Sequence, residues 1–330
     1  MNSFFPRLLE RYNTTKELWS LTILILLSLL FYIVNPAFLS SMNISNFFAY
    51  FPELGIMALT MTYLLIAGEF DLSIGSVFAF GPVIMFSLRN NAGVPIEIAF
   101  FIAIALSALA GFINGILVTK VRISSFLATL GMMLIMRGVA LFVANVFPQS
   151  QWSTESPLKT ILAGTIQFGD WTIFASSGWF LLIFFSMLYV LRMTRFGNWI
   201  FATGGNLRSA RERGINTDRV KIILFVLSSV FAALAGLIDS FRIESAYPIA
   251  GSGYELEVIA MVVIGGTALS GGSGTLVGTL IGSILMRAMR NGIIVLGVPG
   301  LAYNIFVGVI ILLMLTIYSV MGNQSRGTSS

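Results

Sequence analysis

Long apolar runs, separated by short polar or glycine-rich connections, dominate the chain. Most runs contain about 17 to 24 residues, enough for a helix to cross a hydrocarbon core about 30 Å thick. Such lengths exclude a β-barrel, whose strands are shorter and alternate in polarity. The pattern predicts ten spans in a single all-α, polytopic membrane domain of residues 1–330. The spans lie near residues 18–34, 44–66, 72–88, 96–118, 124–146, 176–192, 221–240, 256–269, 275–291 and 301–320.

The distribution of lysine and arginine predicts that both termini are cytoplasmic. One side of the ten-span arrangement holds thirteen basic residues: Arg7, Arg11, Lys16, Lys120, Arg122, Arg192, Arg195, Arg208, Arg211, Arg213, Arg219, Lys221 and Arg326. The other side holds five: Arg89, Lys159, Arg242, Arg287 and Arg290. The richer side is expected in the cytoplasm. We therefore expect a cytoplasmic N-terminus at 1–17, a cytoplasmic loop at 194–221 and a disordered C-terminal tail at 321–330. Arg287 and Arg290 fit poorly, because they lie late in a span.

Composition narrows the chemistry further. Of the 330 residues, 57% are apolar and 10% are charged, and there is no cysteine or histidine. Disulfides, thiolate chemistry and the usual zinc sites are therefore excluded, and we expect no metal and no cofactor. The sequence also contains no G-x-x-x-x-G-K-[ST] phosphate loop. We predict a non-catalytic membrane protein that contacts lipid and no nucleic acid, so uphill transport would need energy from a partner or an ion gradient.

Two glycine-serine segments resemble each other. Aligning GEFDLSIGS at 68–76 with GGTALSGGS at 265–273 matches five of nine positions. Both segments fall at a tight cytoplasmic connection between two predicted spans. An internal two-fold repeat explains the match, and convergent use of glycine and serine at tight membrane turns explains it equally well.

The shared residues indicate turns and helix caps. Glycine permits a positive φ angle and close helix approach, and serine hydroxyls can cap a following helix. The candidate turn and cap residues are Gly68, Asp71, Ser73, Gly75, Gly265, Gly266, Ser270, Gly271 and Gly272. Asp71 stands just before the third span, which favours an N-terminal cap near the membrane surface. A proton-relay or cation-binding carboxylate is the alternative.

The cytoplasmic loop combines basic residues with an unusual local pattern. The glycine turn Thr203-Gly204-Gly205-Asn206 precedes Leu207–Arg213, which is predicted as a short helix closed by Gly214. So short a helix is unstable alone in water, which indicates that it docks on something. An orienting loop that only obeys the positive-inside rule is the alternative. The candidate docking residues are Gly204, Gly205, Asn206, Arg208, Ala210, Arg211, Arg213 and Gly214.

Four polar residues lie inside predicted spans. Asn114, Arg137 and Asn291 are candidates for a translocation path, whereas Asp239 is assigned to the rim outside the cytoplasm. Arg137 is costly inside a bilayer and must pair, snorkel or face a wet cavity. An interhelical hydrogen bond or ion pair is the commoner role for such residues than contact with a substrate.

Several motifs together resemble the permease subunit of bacterial ABC importers of the ribose type. They are GEFDLSIGS, TGGN followed by RGIN, YELEVIAMVVIGGTALSGGSGTLVGTLIG, and the NGI of 291–293. The similarity runs from about residue 45 to residue 320, and the block Gly265–Gly282 is its most specific part. The chain departs from the family after TGGN, where Leu207, Arg208 and Ser209 replace an acidic and small-residue run. Glu69 stands where many members have glycine, and we expect it to be dispensable.

The resemblance implies a transmembrane subunit of an ATP-driven importer in the bacterial inner membrane. Its implied partners are a cytoplasmic ABC ATPase, a periplasmic or lipoprotein solute-binding protein and a second permease subunit, identical or not. The loop would then carry a coupling helix seated in a groove of the ATPase. A ribose-like monosaccharide is the expected solute, followed by polyols, nucleosides and branched-chain amino acids. An ion-coupled secondary transporter using Asp71 or Arg137, or a channel-like or structural membrane protein, are the alternatives from other classes.

Overall fold

The computed structural model describes residues 16–150 and 156–298, together with the separate positions 303, 305, 306, 308, 309, 312 and 316. The predicted tail at 321–330 and most of the predicted N-terminal segment 1–17 lie outside the described residues. The predicted tenth span at 301–320 is described only at those separate positions.

Twelve α-helices follow one another in the described ranges. They are α1 Lys16–Val34, α2 Ser41–Ile66, α3 Ile74–Ala92, α4 Ile96–Ile116, α5 Ser125–Val143, α6 Pro157–Ala163, α7 Ala175–Met193, α8 Arg195–Gly205, α9 Leu207–Glu212, α10 Thr217–Ile243, α11 Tyr254–Ile264 and α12 Leu276–Val295. A 3₁₀ helix, Pro36–Leu39, follows α1, and α4 continues as a π-helical turn, Leu117–Val121.

Four short strands complete the secondary structure of the described residues. Strand β1, Gln149–Ser150, pairs antiparallel with β4, Ser245–Ala246. Strands β2, Thr165–Phe168, and β3, Trp171–Phe174, form an antiparallel hairpin in which Ile166 pairs with Ile173. Helices therefore account for most of the described structure.

Nine of the ten predicted spans correspond to a helix within the described ranges. Six helical stretches are long and apolar enough to cross a membrane by length and composition: Glu17–Val34, Ser41–Ile66, Ile96–Val121, Ser125–Val143, Ala175–Met193 and Thr217–Ile243. Helix α11 contains only 11 residues, and α12 carries two arginines that lower its hydropathy. The prediction of an all-α, polytopic membrane protein is confirmed.

Helices α2 and α10 form the centre of the bundle. Helix α10 packs against α4, α3 and α2, and α12 packs against α1, α11 and α2. Glycine allows these helices to cross closely, since a Cβ added at Gly236 of α10 would lie 1.9 Å from the carbonyl oxygen of Phe78 in α3. In the apolar stretch of peripheral α1, only 11% of the residues are buried, against 94% in that of α2. Helix α1 therefore presents most of its apolar surface outward.

The helix ends gather at two opposite ends of the bundle. At the end predicted to face the cytoplasm, which we call the inner end, contacts join Ile66 with Gly272, Glu69 with Lys221, Lys120 with Asp218 and Glu17 with Thr275. At the opposite, outer end, contacts join Asn35 with Val295, Ser45 with Thr172, Glu97 with Ser156 and Gln149 with Ala246. Each predicted cytoplasmic connection that the structure describes lies at the inner end.

Candidate functional site

A polar cavity of about 600 Å³ lies at the outer end of the bundle. It is formed by the outer ends of α2, α10, α11 and α12. Its lining combines amides, charged groups, aromatic rings and aliphatic side chains: Asn43, Asn46, Phe47, Tyr50, Asp239, Ile243, Tyr254, Arg287, Arg290, Asn291, Ile294 and Val295.

One face of α12 supplies the basic side of this outer cavity. Arg287, Asn291 and Ile294 are separated by four and three residues, which places them on the same side of a helix. The Nη2 of Arg287 donates to the backbone oxygen of Tyr50 at 2.9 Å, and the Arg290 guanidinium lies 5.0 Å from the centroid of the Tyr303 ring. The two arginines that fit the charge count poorly are therefore half-buried in the wall of the outer cavity.

Charges around the outer cavity balance. Arg242 of α10 lies 3.1 Å from Glu53, forms an ion pair with Asp239 and stacks over the Tyr50 ring at 4.1 Å. Arg290 lies 3.9 Å from Glu257. The cavity and its immediate support thus contain three arginines, 242, 287 and 290, and three carboxylates, 53, 239 and 257.

The predicted path residues separate in the structure. Asn291 lines the outer cavity, but Asn114 and Arg137 do not. Asn114 is fully buried and donates to the Ser73 hydroxyl at 3.1 Å. Arg137 donates to the backbone oxygens of Pro248 and Ala250, both at 2.7 Å, and so anchors the connection between β4 and α11. Asp239, assigned to the rim from sequence, is part of the cavity wall.

Backbone contacts between glycines connect three segments at the inner end. A Cβ added at Gly204 of α8 would lie 1.8 Å from the carbonyl oxygen of Ile66, the last residue of α2. A Cβ at Gly271 would lie 2.9 Å from the Gly204 oxygen and 3.0 Å from the Cα of Gly68. The same Ile66 oxygen accepts the N–H of Gly272 at 2.8 Å. We call this contact of Gly68, Gly204, Gly205, Gly271 and Gly272 the glycine junction.

The predicted turn at Thr203–Asn206 is wrong in its position. Helix α8 continues through Gly204 and Gly205, and the chain turns at Asn206, whose side chain accepts the N–H of Ser209 at 3.0 Å and caps α9. The glycines serve close packing against Ile66 and Gly272, which the sequence does not distinguish from a turn. The predicted short helix itself is present as α9, and Gly214 closes it at φ 80°.

Ala210 of α9 is buried against the bundle, whereas Arg211 is half-exposed and pairs with the start of α10. Ala210 is 2% exposed. Arg211 donates to the Thr217 hydroxyl at 2.9 Å and to Asp218 at 2.7 Å, both in the first turn of α10. Both residues therefore help to attach α9 to the bundle, and direct contact of Arg211 with a partner stays a prediction.

The outward surface of α8 and α9 carries other side chains. Arg208 is strongly exposed, with only an i,i+4 pair to Glu212 at 3.2 Å. Trp199 and Leu207 are 42% and 37% exposed, although both are large and apolar. Together with Arg213, they form a mixed apolar and basic surface at the inner end. We call this set, Trp199, Leu207, Arg208 and Arg213, the α8–α9 surface.

Asp71 is fully buried in a network of hydroxyl groups. Its Oδ1 accepts the backbone N–H of Ser73 at 2.9 Å and the Ser73 hydroxyl, and its Oδ2 accepts the Ser228 hydroxyl at 3.1 Å. Asp71 lies in the connection before α3, where burial raises the pKa of its carboxyl and outweighs these hydrogen bonds, which lower it. Asp71 thus stabilises the backbone before α3 from a buried position, and its place near the membrane surface stays a prediction.

The serine caps predicted from the repeat are not formed. Ser73 occupies the N-cap position of α3 but makes no side-chain capping bond: its hydroxyl donates to Asp71 and accepts from Asn114. Ser270 is exposed in the connection before α12, where Thr275 provides the cap by accepting the N–H of Gly278 at 3.0 Å. In the two repeat segments, the glycines with positive φ angles therefore form turns as predicted, but the two serines form no helix cap.

The two repeat segments share a helix ending, with a register shifted by one residue. After α2, the N–H of Gly68 bonds to Leu65 and that of Glu69 to Leu64. After α11, Gly266 bonds to Val263 and Thr267 to Val262 in the same arrangement. Gly68, at φ 81°, therefore corresponds to Gly266, at φ 94°, whereas the sequence alignment matched it with Gly265.

Gly75 in α3 and Gly265, directly after α11, hold close contacts between segments. A Cβ at Gly75 in α3 would lie 2.4 Å from the oxygen of Gly251, and one at Gly265 would lie 2.4 Å from the oxygen of Gly278. The first contact brings the connection before α11 against α3, and the second packs α11 against α12. Both positions exclude a larger residue unless the backbone moves.

Glu69 forms an ion pair that the sequence did not reveal. Its carboxylate accepts from Lys221 in α10 at 2.5 Å, and the two side chains are 11% and 14% exposed. Removing Glu69 would leave Lys221 without this partner. The expectation that Glu69 is dispensable therefore conflicts with its contacts.

The chain forms a multi-pass helical bundle. A cavity with polar groups lies at one end, and a surface unit of two helices packs on the helix ends at the other. This arrangement is typical of membrane transport proteins. The family model described as branched-chain amino acid transport system / permease component matches residues 43–315. The chain belongs to this permease family.

Curated relatives cover most of the chain. It is 37% identical to the ribose import permease protein RbsC of Escherichia coli K12 over 310 residues, which cover 92% of this chain and 95% of that protein. It is 34% identical to RbsC of Bacillus subtilis over 290 residues, 88% of each chain. The xylose/arabinose import permease protein XylH of Sulfolobus acidocaldarius is 32% identical over 307 residues, 89% of this chain and 83% of that one. No solved structure matches the chain significantly.

Proposed function

We propose that this chain is the transmembrane subunit of an ATP-driven ABC importer that carries a neutral monosaccharide of the ribose type across the bacterial inner membrane. A separate ATPase hydrolyses ATP, a solute-binding protein delivers the sugar, and a second permease subunit completes the path. The names of the ribose and xylose/arabinose permeases support the solute class. The observation that carries the mechanism is the packing of α8 on the ends of α2 and the α11–α12 connection.

In this mechanism, the α8–α9 surface is the docking site for the ATPase. Helix α9 is held by Arg211 to the start of α10, and α8 contacts Ile66 and Gly272 without intervening side chains. Displacement of the α8–α9 unit would therefore move the inner ends of α2 and α11 directly. The outer ends of both helices line the outer cavity, so the same movement would change access to it.

The test is uptake of labelled D-ribose into proteoliposomes that contain the permease and its ATPase, with the binding protein supplied outside. We expect uptake to require ATP hydrolysis. Leu207→Asp and Trp199→Ala should weaken co-purification of the ATPase and reduce uptake, because they remove the apolar part of the docking surface. Thr165→Asp, on the exposed hairpin at the opposite end, is the matched control and should change neither.

Two results would contradict the proposal. Uptake that continues without ATP and follows an ion gradient would favour the secondary transporter. Full ATPase binding by both surface variants would reduce the α8–α9 unit to an orienting loop.

A further inference from the structure

We infer that the outer cavity is a solute-binding site of the permease itself, selective for a neutral polyhydroxylated solute, in which Arg287 and Asn291 of α12 provide the recognition. This inference rests on the proposed function and adds the site on the permease and the residues that recognise the solute. At about 600 Å³, the cavity lies within the range of about 300–1,000 Å³ usual for small-molecule sites.

Hydrogen-bonding groups remain free on the cavity wall. A guanidinium has five N–H donors, and the backbone oxygen of Tyr50 accepts from one nitrogen of Arg287. Among the described residues, no carboxylate lies within ion-pair distance of Arg287. Arg242 occupies Oδ1 of Asp239, so Oδ2 of that carboxylate can accept from a solute hydroxyl. The wall also contains side-chain amides, each with N–H donors and an oxygen acceptor, at Asn43, Asn46 and Asn291.

Besides its hydroxyls, a sugar ring has faces of C–H groups, and apolar side chains on the cavity wall can pack against them. Phe47, Tyr254, Ile243 and Ile294 line the same cavity. A saturated apolar solute would leave the arginine and amide groups unpaired, which is costly in a desolvated site. The combination of both surfaces therefore favours a compact ring with several hydroxyls.

Charge balance decides between neutral and ionised solutes. The three arginines and three carboxylates around the cavity are equal in number: Arg242 pairs with Glu53 and Asp239, Arg290 lies near Glu257, and Arg287 keeps its remaining donors for the solute. A phosphate would gain from Arg287 but would meet Asp239 on the same wall, and an amino acid would need a separate pocket for each of its charges. A neutral solute avoids both costs, because no ion pair of the wall has to be broken to admit it.

The absence of cysteine from the sequence provides a direct test. Ile294→Cys places a single thiol on the cavity wall, and Ile166→Cys, a residue 70% exposed on the hairpin, is the matched control. The rate of maleimide labelling is measured on the assembled complex in membranes, with D-ribose, D-ribose 5-phosphate or L-leucine as the probe. D-Ribose at ten times its dissociation constant should slow labelling in the cavity about tenfold by simple occupancy, and should not change the control.

Arg287→Gln and Asn291→Ala, each combined with Ile294→Cys, should abolish most of this protection. Asn291→Ala is included because Arg287→Gln could disturb the contact with Tyr50. Each substitution is also combined with Ile166→Cys, and unchanged labelling there verifies that the fold is intact. The inference would be overturned if D-ribose still protected the thiol at position 294 in a folded variant. It would also be overturned if D-ribose 5-phosphate or L-leucine protected that thiol as well as D-ribose does. Absent protection in a preparation that takes up D-ribose with ATP would overturn it too. If that preparation shows no ATP-dependent uptake, the proposed function fails instead.

Discussion

The outer cavity and the glycine junction lie at opposite ends of the same helices and are built from different parts of the chain. Helix α2 runs from Tyr50 at the cavity to Ile66 at the junction, and α11 runs from Tyr254 to the connection that contains Gly271. Side chains form the cavity, whereas backbone atoms form the junction. The difference indicates that the outer end is suited to recognise a solute and the inner end to transmit movement, because backbone contacts leave no flexible side chain to absorb it.

Gly204→Ala should have the largest effect. The added Cβ would lie 1.8 Å from the Ile66 carbonyl oxygen, so α8 would have to separate from α2. We expect a loss of about 3 kcal/mol or more of stability and of nearly all transport, since overpacking against backbone leaves little room for relaxation. Gly205→Ala is the control, because its Cβ would meet only the Cα of Gly272 at 3.9 Å. Thermal unfolding in detergent and uptake provide the measurement. Equal behaviour of the two variants would refute a close-contact role.

Asp71→Leu should have the next largest effect. The change removes the acceptor for the Ser73 N–H and the Ser228 hydroxyl in a fully buried site, and each unsatisfied group costs about 1–3 kcal/mol. Asp71→Asn retains an acceptor and should keep the fold and most transport. The comparison is made by thermal unfolding and uptake. A well-folded Asp71→Asn variant without any transport would assign an ionic role to Asp71.

Glu69→Gly should destabilise the inner end by about 1–2 kcal/mol, between the cost of breaking an exposed ion pair and that of breaking a buried one. The reason is that Lys221, 14% exposed, would lose its carboxylate partner. The double variant Glu69→Gln with Lys221→Met should recover most of the loss, which a double-mutant cycle measures. A silent Glu69→Gly variant would restore the original expectation from the sequence.

Arg211→Glu should have the smallest effect on stability, about 1 kcal/mol or less, because its pair with Asp218 is partly exposed. It should nevertheless loosen α9 and reduce the coupling of ATP hydrolysis to uptake. Combining Arg211→Glu with Asp218→Arg and Lys120→Glu, which reverses both partners of Asp218, should restore coupling within the chain. Rescue only by a charge change on the ATPase would show that Arg211 contacts the partner after all.

The span pattern was predictable because apolar runs of sufficient length leave few alternatives in a bilayer. The C-terminal end of α9 was also predictable, since Gly214 follows a short amphipathic stretch. The role of Gly204 was not, because glycine in a sequence indicates a turn and a close contact equally well, and Ile66 is distant in the chain. The same limit explains why the repeat was aligned one residue out of register.

The outer cavity was predictable only in part. Arg287, Arg290 and Asn291 have a spacing that places them on one side of a helix, and this signal could have identified a polar face inside the bundle. Glu53 and Arg242 gave no such signal, since their pairing depends on how α2 and α10 pack. Asn114 and Arg137 were selected for polarity alone, and their partners turned out to be a serine hydroxyl and backbone oxygens.

The most direct measurement of the connection between the two regions is the effect of nucleotide on the outer cavity. In the complete complex, maleimide labelling of Ile294→Cys is followed with and without ATP bound to the ATPase, and Ile166→Cys is the control. The account predicts that ATP changes the labelling rate several-fold at Ile294→Cys alone. An unchanged rate at Ile294→Cys, in a complex that hydrolyses ATP and takes up D-ribose, would contradict it.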